Sequence, residues 1–213
     1  MAALLRFLFF NVIVRFVVLV GLGLNVRHRE RLPGKGPAIL VANHNSHLDT
    51  MVLMTLLPPR LLPAVRPVAA ADYFLRNRFV AWFALKVVGI LPIRRKTTKD
   101  GGDPLAPIDE ALANDRILIF FPEGTRGEPE HLATFKKGIA HLAARHPEVP
   151  VVPVFLHGLG KALPKGEALL VPFFCDVFVG EPIRWNGDRN TYMQQLDARM
   201  HALEGEGQFA PWE

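Results

Sequence analysis

Cysteine is almost absent from this sequence, and acidic residues are scarce in its first half. The single cysteine, Cys175, cannot form an intrachain disulfide, so we expect the protein in a reducing compartment. Residues 1–99 contain 3 acidic residues against 15 lysines and arginines, whereas residues 100–213 contain 17 against 10. The net charge of +5 therefore combines a basic first half with an acidic second half.

The basic first half is compatible by charge with an anionic membrane surface or with nucleic acid. The sequence has no interleaved basic and aromatic platform and no zinc-finger spacing, so we expect no nucleic-acid partner. Hydrophobic residues make up 50% of the chain, which is high for a soluble protein and typical of one that contacts lipid. We therefore expect a membrane surface as partner, where each nearby Lys or Arg contributes about 1 kcal/mol.

The first two dozen residues are apolar apart from Arg6, Asn11 and Arg15. A spanning helix is possible, since roughly 20 residues cross the hydrocarbon, but Arg15 near mid-membrane would cost about 2.5–3.5 kcal/mol. A secretory signal fits poorly, because Arg15 interrupts the apolar core and no small-residue cleavage site follows. The two arginines lie on opposite sides of a 3.6-residue helix, so no single amphipathic stripe is expected. We favour a shallow anchor whose arginines reach the headgroups, and a single span stays open.

We divide the chain into an apolar membrane-anchoring segment, residues 1–30, and one domain, residues 31–213. In the domain, strands are predicted at AILVAN, GILPIRR, RILIFF, VPVVPVFLHG and within LLVPFFCDVFVGEPI. Helices are predicted at MVLMTLLP, over residues 72–87, at PIDEALAND, at FKKGIAHLAARH and near the carboxyl terminus at GDRNTYMQQLDARMHALEGEG. Strands that alternate with helices indicate an α/β domain in which helices cover a sheet.

The densest cluster of polar side chains is NHNSHLDT, residues 43–50, which follows the first predicted strand. Ser46 and Asp49 are spaced almost like a capping box, so Asp49 could simply cap a helix. The same spacing lets Asp49 accept the Nδ1 proton of His44, which leaves Nε2 as a general base. Both interpretations stay open from the residues alone. We interpret His47 as a secondary contact or a surface residue.

A second polar stretch, FFPEGTRG at residues 120–127, also follows a predicted strand, as expected for a site at the carboxyl ends of a sheet. Gly124 lets the backbone turn or approach a ligand, and Arg126 can present a bidentate fork to a phosphate. Alternatively, Glu123 and Arg126 form a surface ion pair that contributes little. At the end of GILPIRR, Arg95 could bind the same anion, and Arg94 is interpreted as a solvated charge.

Together these motifs resemble the glycerolipid acyltransferase family, whose best-known member type is 1-acylglycerol-3-phosphate acyltransferase. Four blocks occur in the family's order over roughly residues 38–156: NHNSHLD with His44 and Asp49, GILPIRR with Gly89 and Arg95, FPEGTR, and VPVVPV around Pro153. FKKG at residues 135–138 resembles the segment that usually follows the third block. The sequence departs from the pattern in Pro92, in the doubled arginine of the second block, and in its short apolar anchor.

The resemblance implies a single α/β domain with a mixed central sheet flanked by helices, joined to the membrane-anchoring helix. It also implies transfer of a fatty acyl group from acyl-CoA or acyl-carrier protein to the hydroxyl of a lysophospholipid. The expected acceptor is 1-acylglycerol-3-phosphate, which would give phosphatidic acid. No metal and no organic cofactor are implied, because the acyl donor is a co-substrate. The basic run RHRERLPGK favours a membrane-associated protein whose active site faces the cytoplasm.

The resemblance also assigns roles to individual residues. The expected catalytic residues are His44 and Asp49, and the expected substrate-binding residues are Arg95, Glu123, Gly124, Thr125 and Arg126. On this hypothesis the two arginines bind the acceptor's phosphate, and Glu123 orients Arg126 or the acceptor's polar groups. Backbone amides near Gly124 are candidates for stabilising the oxyanion.

Three alternatives stay open. The acceptor could be another lysophospholipid or a lyso-aminolipid without phosphate. A metal-dependent hydrolase could use His44, His47, Asp49 and Glu123 as ligands, although the H-E-x-x-H arrangement is absent. A membrane-attached binding module could have kept the fold without turnover, but the intact His44 and Asp49 pair argues against it. Neither Ser46 nor Cys175 lies in a G-x-S-x-G elbow, so the sequence does not indicate a covalent acyl-enzyme.

Overall fold

A central sheet organises the protein. The computed structural model describes residues 2–74, 77–94, 103–125, 127, 132–163, 171 and 173–209. Seven strands in these residues form the sheet: β1 Gly23–Arg27, β2 Ala38–Ala42, β3 Val65–Ala70, β4 Leu91–Ile93, β5 Ile117–Phe120, β6 Val151–His157 and β7 Phe174–Val179. Their order across the sheet is β1-β7-β6-β2-β5-β3-β4.

Helices pack on both faces of this sheet. In the described residues they are α1 Ala2–Gly21, α2 Leu48–Leu56, α3 Ala71–Phe74, α4 Arg78–Trp82, α5 Ala106–Ala113, α6 Gly138–Arg145, α7 Leu159–Ala162 and α8 Arg189–Glu206. π-Helical turns occupy Phe9–Val14 and Val17–Gly21 within α1 and continue α4 over Phe83–Val88, and 3-10 turns lie at Arg29–Arg31 and Pro59–Ala64.

Strand direction places the loops that carry the polar motifs. β2, β3, β4, β5 and β6 are parallel to one another, β7 is antiparallel to β6, and β1 is parallel to β7. The sheet is therefore mixed, and its parallel strands all end at one edge, which we call the carboxyl edge. Ligand sites of α/β sheets form at such an edge, because the loops that follow neighbouring strands meet there. The opposite edge, where these strands begin, is the amino edge.

The central strand β2 is covered on both sides, which explains its uninterrupted apolar sequence AILVA. Leu40 packs on one face in a cluster that includes Phe10 of α1 and Leu53 of α2. Its neighbour Ile39 points to the other face, in a cluster that includes Ile139 of α6 and residues of α5 and α8. Fully burying a side chain of this size contributes about 1.5–3 kcal/mol, so two layers of helices stabilise the central strands.

The prediction of one continuous helix over residues 72–87 is wrong. α3 ends at Phe74, and a new helix begins after Asn77. The Asn77 side-chain oxygen accepts hydrogen bonds from the N–H groups of Phe79 (2.8 Å) and Val80 (3.4 Å). An N-cap of this kind satisfies N–H groups that have no partner inside the helix, so it starts a separate helix.

The apolar helix α1 packs on the domain along one face. Phe10, Val14 and Val18 are buried at a spacing of four residues, because π-helical turns widen the repeat beyond 3.6 residues. Arg6 continues the same row, and its Nη2 donates to two backbone carbonyls at 2.9 and 3.0 Å. Both the buried and the outer face of the helix are apolar, so it has no amphipathic stripe, as expected. Arg6 bonds to the protein backbone, and the expectation that the arginines reach the lipid headgroups stays a prediction.

The outer face of α1 is exposed and apolar. We define the exposed apolar surface as the outward side chains of α1 and of α4 with its π-helical continuation: Leu4, Leu5, Phe7, Leu8, Val12, Ile13, Phe16, Leu19, Val20, Phe79, Val80, Trp82, Phe83 and Leu85. Phe9 and Phe83 join the two helices edge to face, with ring centroids 5.1 Å apart. By length and composition α1 could cross a membrane. The next residues, Gly23–Arg27, form the edge strand β1, so the apolar helix is shorter than the segment 1–30.

Candidate active site

The two polar stretches NHNSHLDT and FFPEGTRG meet at the carboxyl edge. β2 and β5 are neighbouring parallel strands in which Val41 lies opposite Phe120, so the loops that follow them are adjacent. The His44 N–H donates to Glu123 Oε1 at 3.3 Å, and the His44 carbonyl accepts from the Gly127 N–H at 2.9 Å. The backbone of His44 is thus bonded on both sides to the second loop.

The pair of His44 and Asp49 is formed in the structure. His44 Nδ1 lies 2.9 Å from Asp49 Oδ2, and the same oxygen accepts from the N–H groups of Asn45 (2.7 Å) and Ser46 (2.8 Å). Asp49 is fully buried, whereas the His44 side chain is 20% exposed. Both interpretations of the sequence therefore hold together, because one carboxylate oxygen closes the turn before α2 and also bonds the imidazole.

The geometry of the imidazole determines which nitrogen can act as a base. A carboxylate can only accept a hydrogen bond, so His44 Nδ1 carries a proton and donates it to Asp49. The lone pair is then on Nε2. The ring also stacks on Phe121, with centroids 4.1 Å apart and planes 23° apart. An acid on one side and an aromatic ring on one face fix the imidazole in a single orientation.

Two buried side chains hold the first loop in place: Asn43, to which the sequence analysis assigned no role, and Ser46, which it considered only as part of a capping box. The Asn43 side chain donates to the Leu156 carbonyl and accepts from the Leu156 N–H, both at 2.8 Å, so it ties the end of β2 to β6. Ser46 Oγ donates to the Leu163 carbonyl at 3.0 Å and accepts from the Leu48 N–H at 3.3 Å. A polar residue next to a buried strand was the only sequence signal for these contacts, which join positions far apart in the chain.

Glu123 is buried, and its side chain takes part in positioning His44. Burial raises the pKa of Glu123 to about 7, while hydrogen bonds from the backbone N–H groups of His44 and Ala133 oppose this rise and the charge of Asp49 adds to it. The carboxyl is only 5% exposed, and its Oε2 has no hydrogen-bond partner within the described residues. The observed contact of Glu123 is thus with the backbone of His44, and its expected action on Arg126 stays a prediction.

Gly124 and Thr125 are exposed residues of the second loop. Gly124 has a φ of 76°, and its N–H donates to the Phe121 carbonyl at 3.1 Å. This amide is used within the turn, and the expected stabilisation of an oxyanion by backbone amides near Gly124 stays a prediction for the other amides of the loop. A Cβ at Gly124 would lie 2.5 Å from Lys136 Nζ, which places an ammonium group directly over the loop. Lys136 belongs to the FKKG segment, to which the sequence analysis assigned no role.

The predicted phosphate-binding arginines, Arg95 and Arg126, lie outside the described residues. Of the neighbouring charged residues that are described, Arg94 is exposed at the end of β4 and His47 is exposed at the start of α2. The structure therefore brings together His44, Asp49 and Glu123 from the predicted set. The two-arginine clamp stays a prediction.

The residues considered for a metal-dependent hydrolase make other contacts. Within the described ranges no group of three or more His, Cys, Asp or Glu side chains is placed to hold a metal ion. His44 Nδ1 and Asp49 Oδ2 bond to each other, and Glu123 Oε1 bonds to a backbone N–H. This arrangement favours proton transfer through His44 over metal ligation.

Known proteins place this geometry in a family. The family model described as "Acyltransferase" matches residues 23–157, more than half of the chain and a segment that includes both loops. The chain belongs to the acyltransferase family. The chain is 33% identical over 162 residues to the chloroplastic 1-acyl-sn-glycerol-3-phosphate acyltransferase of Arabidopsis thaliana. This alignment covers 75% of this chain and 43% of that protein. The chain is also 29% identical over 175 residues to 1-acyl-sn-glycerol-3-phosphate acyltransferase alpha of Homo sapiens, and this alignment covers 79% of this chain and 58% of that protein. The chain spans about half the length of these relatives.

The fold of the chain is similar to a solved structure. The crystal structure of PlsC from Thermotoga maritima, a 1-acyl-sn-glycerophosphate (LPA) acyltransferase, superposes with a TM-score of 0.71 at 22% identity and covers 96% of this chain and 79% of that one. This likeness confirms the predicted α/β fold with a mixed central sheet. The match to the family model confirms the family that the four sequence blocks resemble.

Proposed function

We propose that this acyltransferase transfers a fatty acyl group from acyl-CoA or acyl-carrier protein to the hydroxyl of 1-acylglycerol-3-phosphate, which gives phosphatidic acid. The 2.9 Å contact between His44 Nδ1 and Asp49 Oδ2 at the carboxyl edge supports the proposal most strongly. The relatives named for this acceptor support the choice of lysolipid.

In this mechanism His44 acts as a general base. Its Nε2 accepts the proton of the acceptor hydroxyl while the hydroxyl oxygen bonds to the thioester carbonyl carbon, whose oxygen becomes an oxyanion. The intermediate collapses, the C–S bond breaks, and the leaving thiolate takes the proton back from Nε2. Asp49 stabilises the imidazolium that exists between these two transfers. A positioned general base of this kind contributes about 10²–10⁴-fold to a rate.

Three cations supply the contacts to the acceptor in this proposal. Arg95 and Arg126 bind the acceptor's phosphate, and the ammonium of Lys136 over Gly124 is the third cation. Glu123 contributes by holding the backbone of His44, so it positions the base. Both substrates must be presented together for direct attack, which makes the alignment of the two loops part of catalysis.

A membrane surface would deliver the acceptor. The exposed apolar surface of α1 and α4 supports insertion into one leaflet, because large apolar side chains of a soluble protein rarely form so continuous a patch. α1 ends where β1 begins, and β1 runs antiparallel to β6, so the end of α1 lies at the carboxyl edge near the site. The basic segment RHRERLPGK favours the cytoplasmic side.

Acyl transfer by the purified full-length protein tests the proposal. Labelled acyl-CoA and acyl-carrier protein are each offered with 1-acylglycerol-3-phosphate, another lysophospholipid or a lyso-aminolipid. We expect phosphatidic acid as the main product, a loss of at least about a hundredfold in His44→Ala, and near wild-type rates in His47→Ala, the matched variant of a neighbouring exposed histidine. Equal rates in His44→Ala and wild type would exclude the mechanism. Transfer only to the lyso-aminolipid would exclude the acceptor.

A further inference from the structure

A cavity lies at the amino edge, away from His44. It has a volume of about 370 Å³ and lies between the first turns of α1, the 3-10 turn Pro59–Ala64 and the residues just before β4. Its walls combine three cations with apolar side chains and contain no acidic residue among the described residues: Arg6, Arg66 and Lys86, with Leu62, Leu85 and Ile90. A strand length, about 15 Å, separates this edge from the carboxyl edge.

The arginines around this cavity are linked to one another through backbone carbonyls. Arg6 Nη2 and Arg66 Nη1 both donate to the Val65 carbonyl, at 2.9 and 2.8 Å. Arg66 Nη1 also donates to the Pro63 carbonyl at 3.0 Å, and Arg116 Nη1 donates to the same oxygen at 3.4 Å. Within the part of the chain that the structure describes, no carboxylate pairs with these three arginines or with Lys86. Among the described residues, the cluster therefore holds positive charges without a counter-charge.

Electrostatics and sterics at Arg6 both favour the binding of an anion. Burial, together with the charges of Arg66 and Arg116, lowers the pKa of Arg6 to about 10. Arg6 Nε is buried without a hydrogen-bond partner in the described residues. A Cβ on Gly89, whose φ is 76°, would overlap Arg6 Nη1, so the guanidinium can lie there because residue 89 is glycine. The chain thus accommodates a buried cation whose repulsion an external anion would relieve.

We propose that this cavity binds the phosphate of an anionic glycerophospholipid from the surrounding membrane. Phe7 and Leu85 line the cavity and also belong to the exposed apolar surface, so a lipid whose chains lie on that surface would bring its headgroup to the cations. Basic pockets beside membrane-embedded helices bind anionic headgroups in this way. The continuity with an apolar surface favours a lipid over free phosphate, which needs no apolar wall. The proposal does not depend on acyl transfer at His44.

Native mass spectrometry of the detergent-purified full-length protein tests the site directly. The ligands are phosphatidylglycerol, phosphatidylcholine with the same chains, and inorganic phosphate. Arg66→Gln/Lys86→Gln removes two cations from the cavity, and Arg189→Gln/Arg199→Gln is a control with the same charge change on α8, which packs on the other face of the sheet. We expect wild type to retain one phosphatidylglycerol. Loss of each cation should weaken phosphatidylglycerol binding about fivefold, so the variant that lacks both cations should bind about twenty-five-fold more weakly than wild type. The control variant should bind within about twofold of wild type.

Further arms of the experiment separate the possible explanations. Lys86→Gln alone should weaken binding about fivefold without affecting folding, because Lys86 makes no hydrogen bond or ion pair within the described residues, and equal melting temperatures would verify this. His44→Ala should bind phosphatidylglycerol like wild type, which separates this site from the proposed catalysis. Equal retention by the cavity variants, equal retention of phosphatidylcholine, or displacement of the lipid by comparable concentrations of inorganic phosphate would each overturn the proposal.

Discussion

At the carboxyl edge of the sheet, the imidazole of His44 lies 2.9 Å from a buried carboxylate. At the amino edge, three arginines donate only to neutral carbonyls among the residues that the structure describes. The carboxylate of Asp49 is itself fixed by two backbone N–H groups. No comparable acid is paired with Arg6, Arg66 or Arg116 in the described residues. The two edges therefore differ in where the counter-charge comes from.

This difference follows from how long each positive charge exists. In the proposed mechanism His44 is charged only between two proton transfers, so its counter-charge must be built into the chain. A guanidinium is always charged at neutral pH, so its counter-charge can be a ligand that stays bound. The four predictions that follow test this contrast in order of expected size.

The largest effect is expected from Asp49→Asn at the carboxyl edge. The amide keeps the shape and can still accept from the backbone, but it carries no charge to stabilise the imidazolium and can present N–H to the wrong ring nitrogen. We expect the kcat of acyl transfer to fall about a thousandfold with KM changed only slightly. Asp197→Asn, an exposed acid on α8, is the control. A loss of less than tenfold in Asp49→Asn would contradict the role of the acid.

At the amino edge, Gly89→Ala is expected to lower the free energy of unfolding by about 2–4 kcal/mol. The new Cβ would meet the Arg6 guanidinium, and the positive φ of residue 89 adds backbone strain. Denaturant unfolding in detergent measures the change. Gly34→Ala is the matched control, because a Cβ there has no atom within 4 Å. Equal stabilities of the two variants would show that Arg6 does not need the space at Gly89.

Glu123 should make stability depend on pH. Burial raises the pKa of Glu123 to about 7, so the folded protein holds a proton that the unfolded chain releases at about pH 4–5. The stabilisation by this proton is complete in acid and is lost as the pH rises through about 7. From about pH 5 to about pH 8, wild type should lose on the order of 2 kcal/mol more unfolding free energy than Glu123→Gln. Parallel pH profiles of the two proteins would contradict this assignment.

The smallest effect is expected from the ring under His44. Phe121→Leu removes the stacking contact, and aromatic pairs contribute about 0.5–1.5 kcal/mol, so kcat should fall roughly two- to tenfold. Phe121→Tyr keeps the ring and should retain most of the rate. If both variants lost activity equally, the stacking itself would not be what orients the imidazole.

The sequence predicted the carboxyl edge well because its central contact is local. His44 and Asp49 are five residues apart, on a loop and the helix that follows it, so the possible contact could be read from spacing. A site at the carboxyl ends of the sheet was also expected, since both polar loops follow apolar runs that read as strands. The structure adds that these strands, β2 and β5, are paired neighbours.

Contacts between distant parts of the chain were not predictable in the same way. Glu123 bonds to the backbone of His44 across 79 positions, and no spacing rule indicates such a contact. β3 was not predicted, because Pro67 interrupts its apolar run although a partner strand still pairs with it. The burial of Arg6 was not predicted. Its position in the row of buried residues depends on π-helical turns that the sequence pattern does not reveal.

The most direct test of the account is the tautomer of His44, measured by ¹⁵N NMR on the full-length protein with labelled histidine, with His44→Ala to assign the signal. The account predicts that neutral His44 carries its proton on Nδ1, and that Asp49→Asn reduces the population of this tautomer. A neutral His44 protonated on Nε2 in wild type would contradict it, because that nitrogen could not then accept the proton of an incoming hydroxyl.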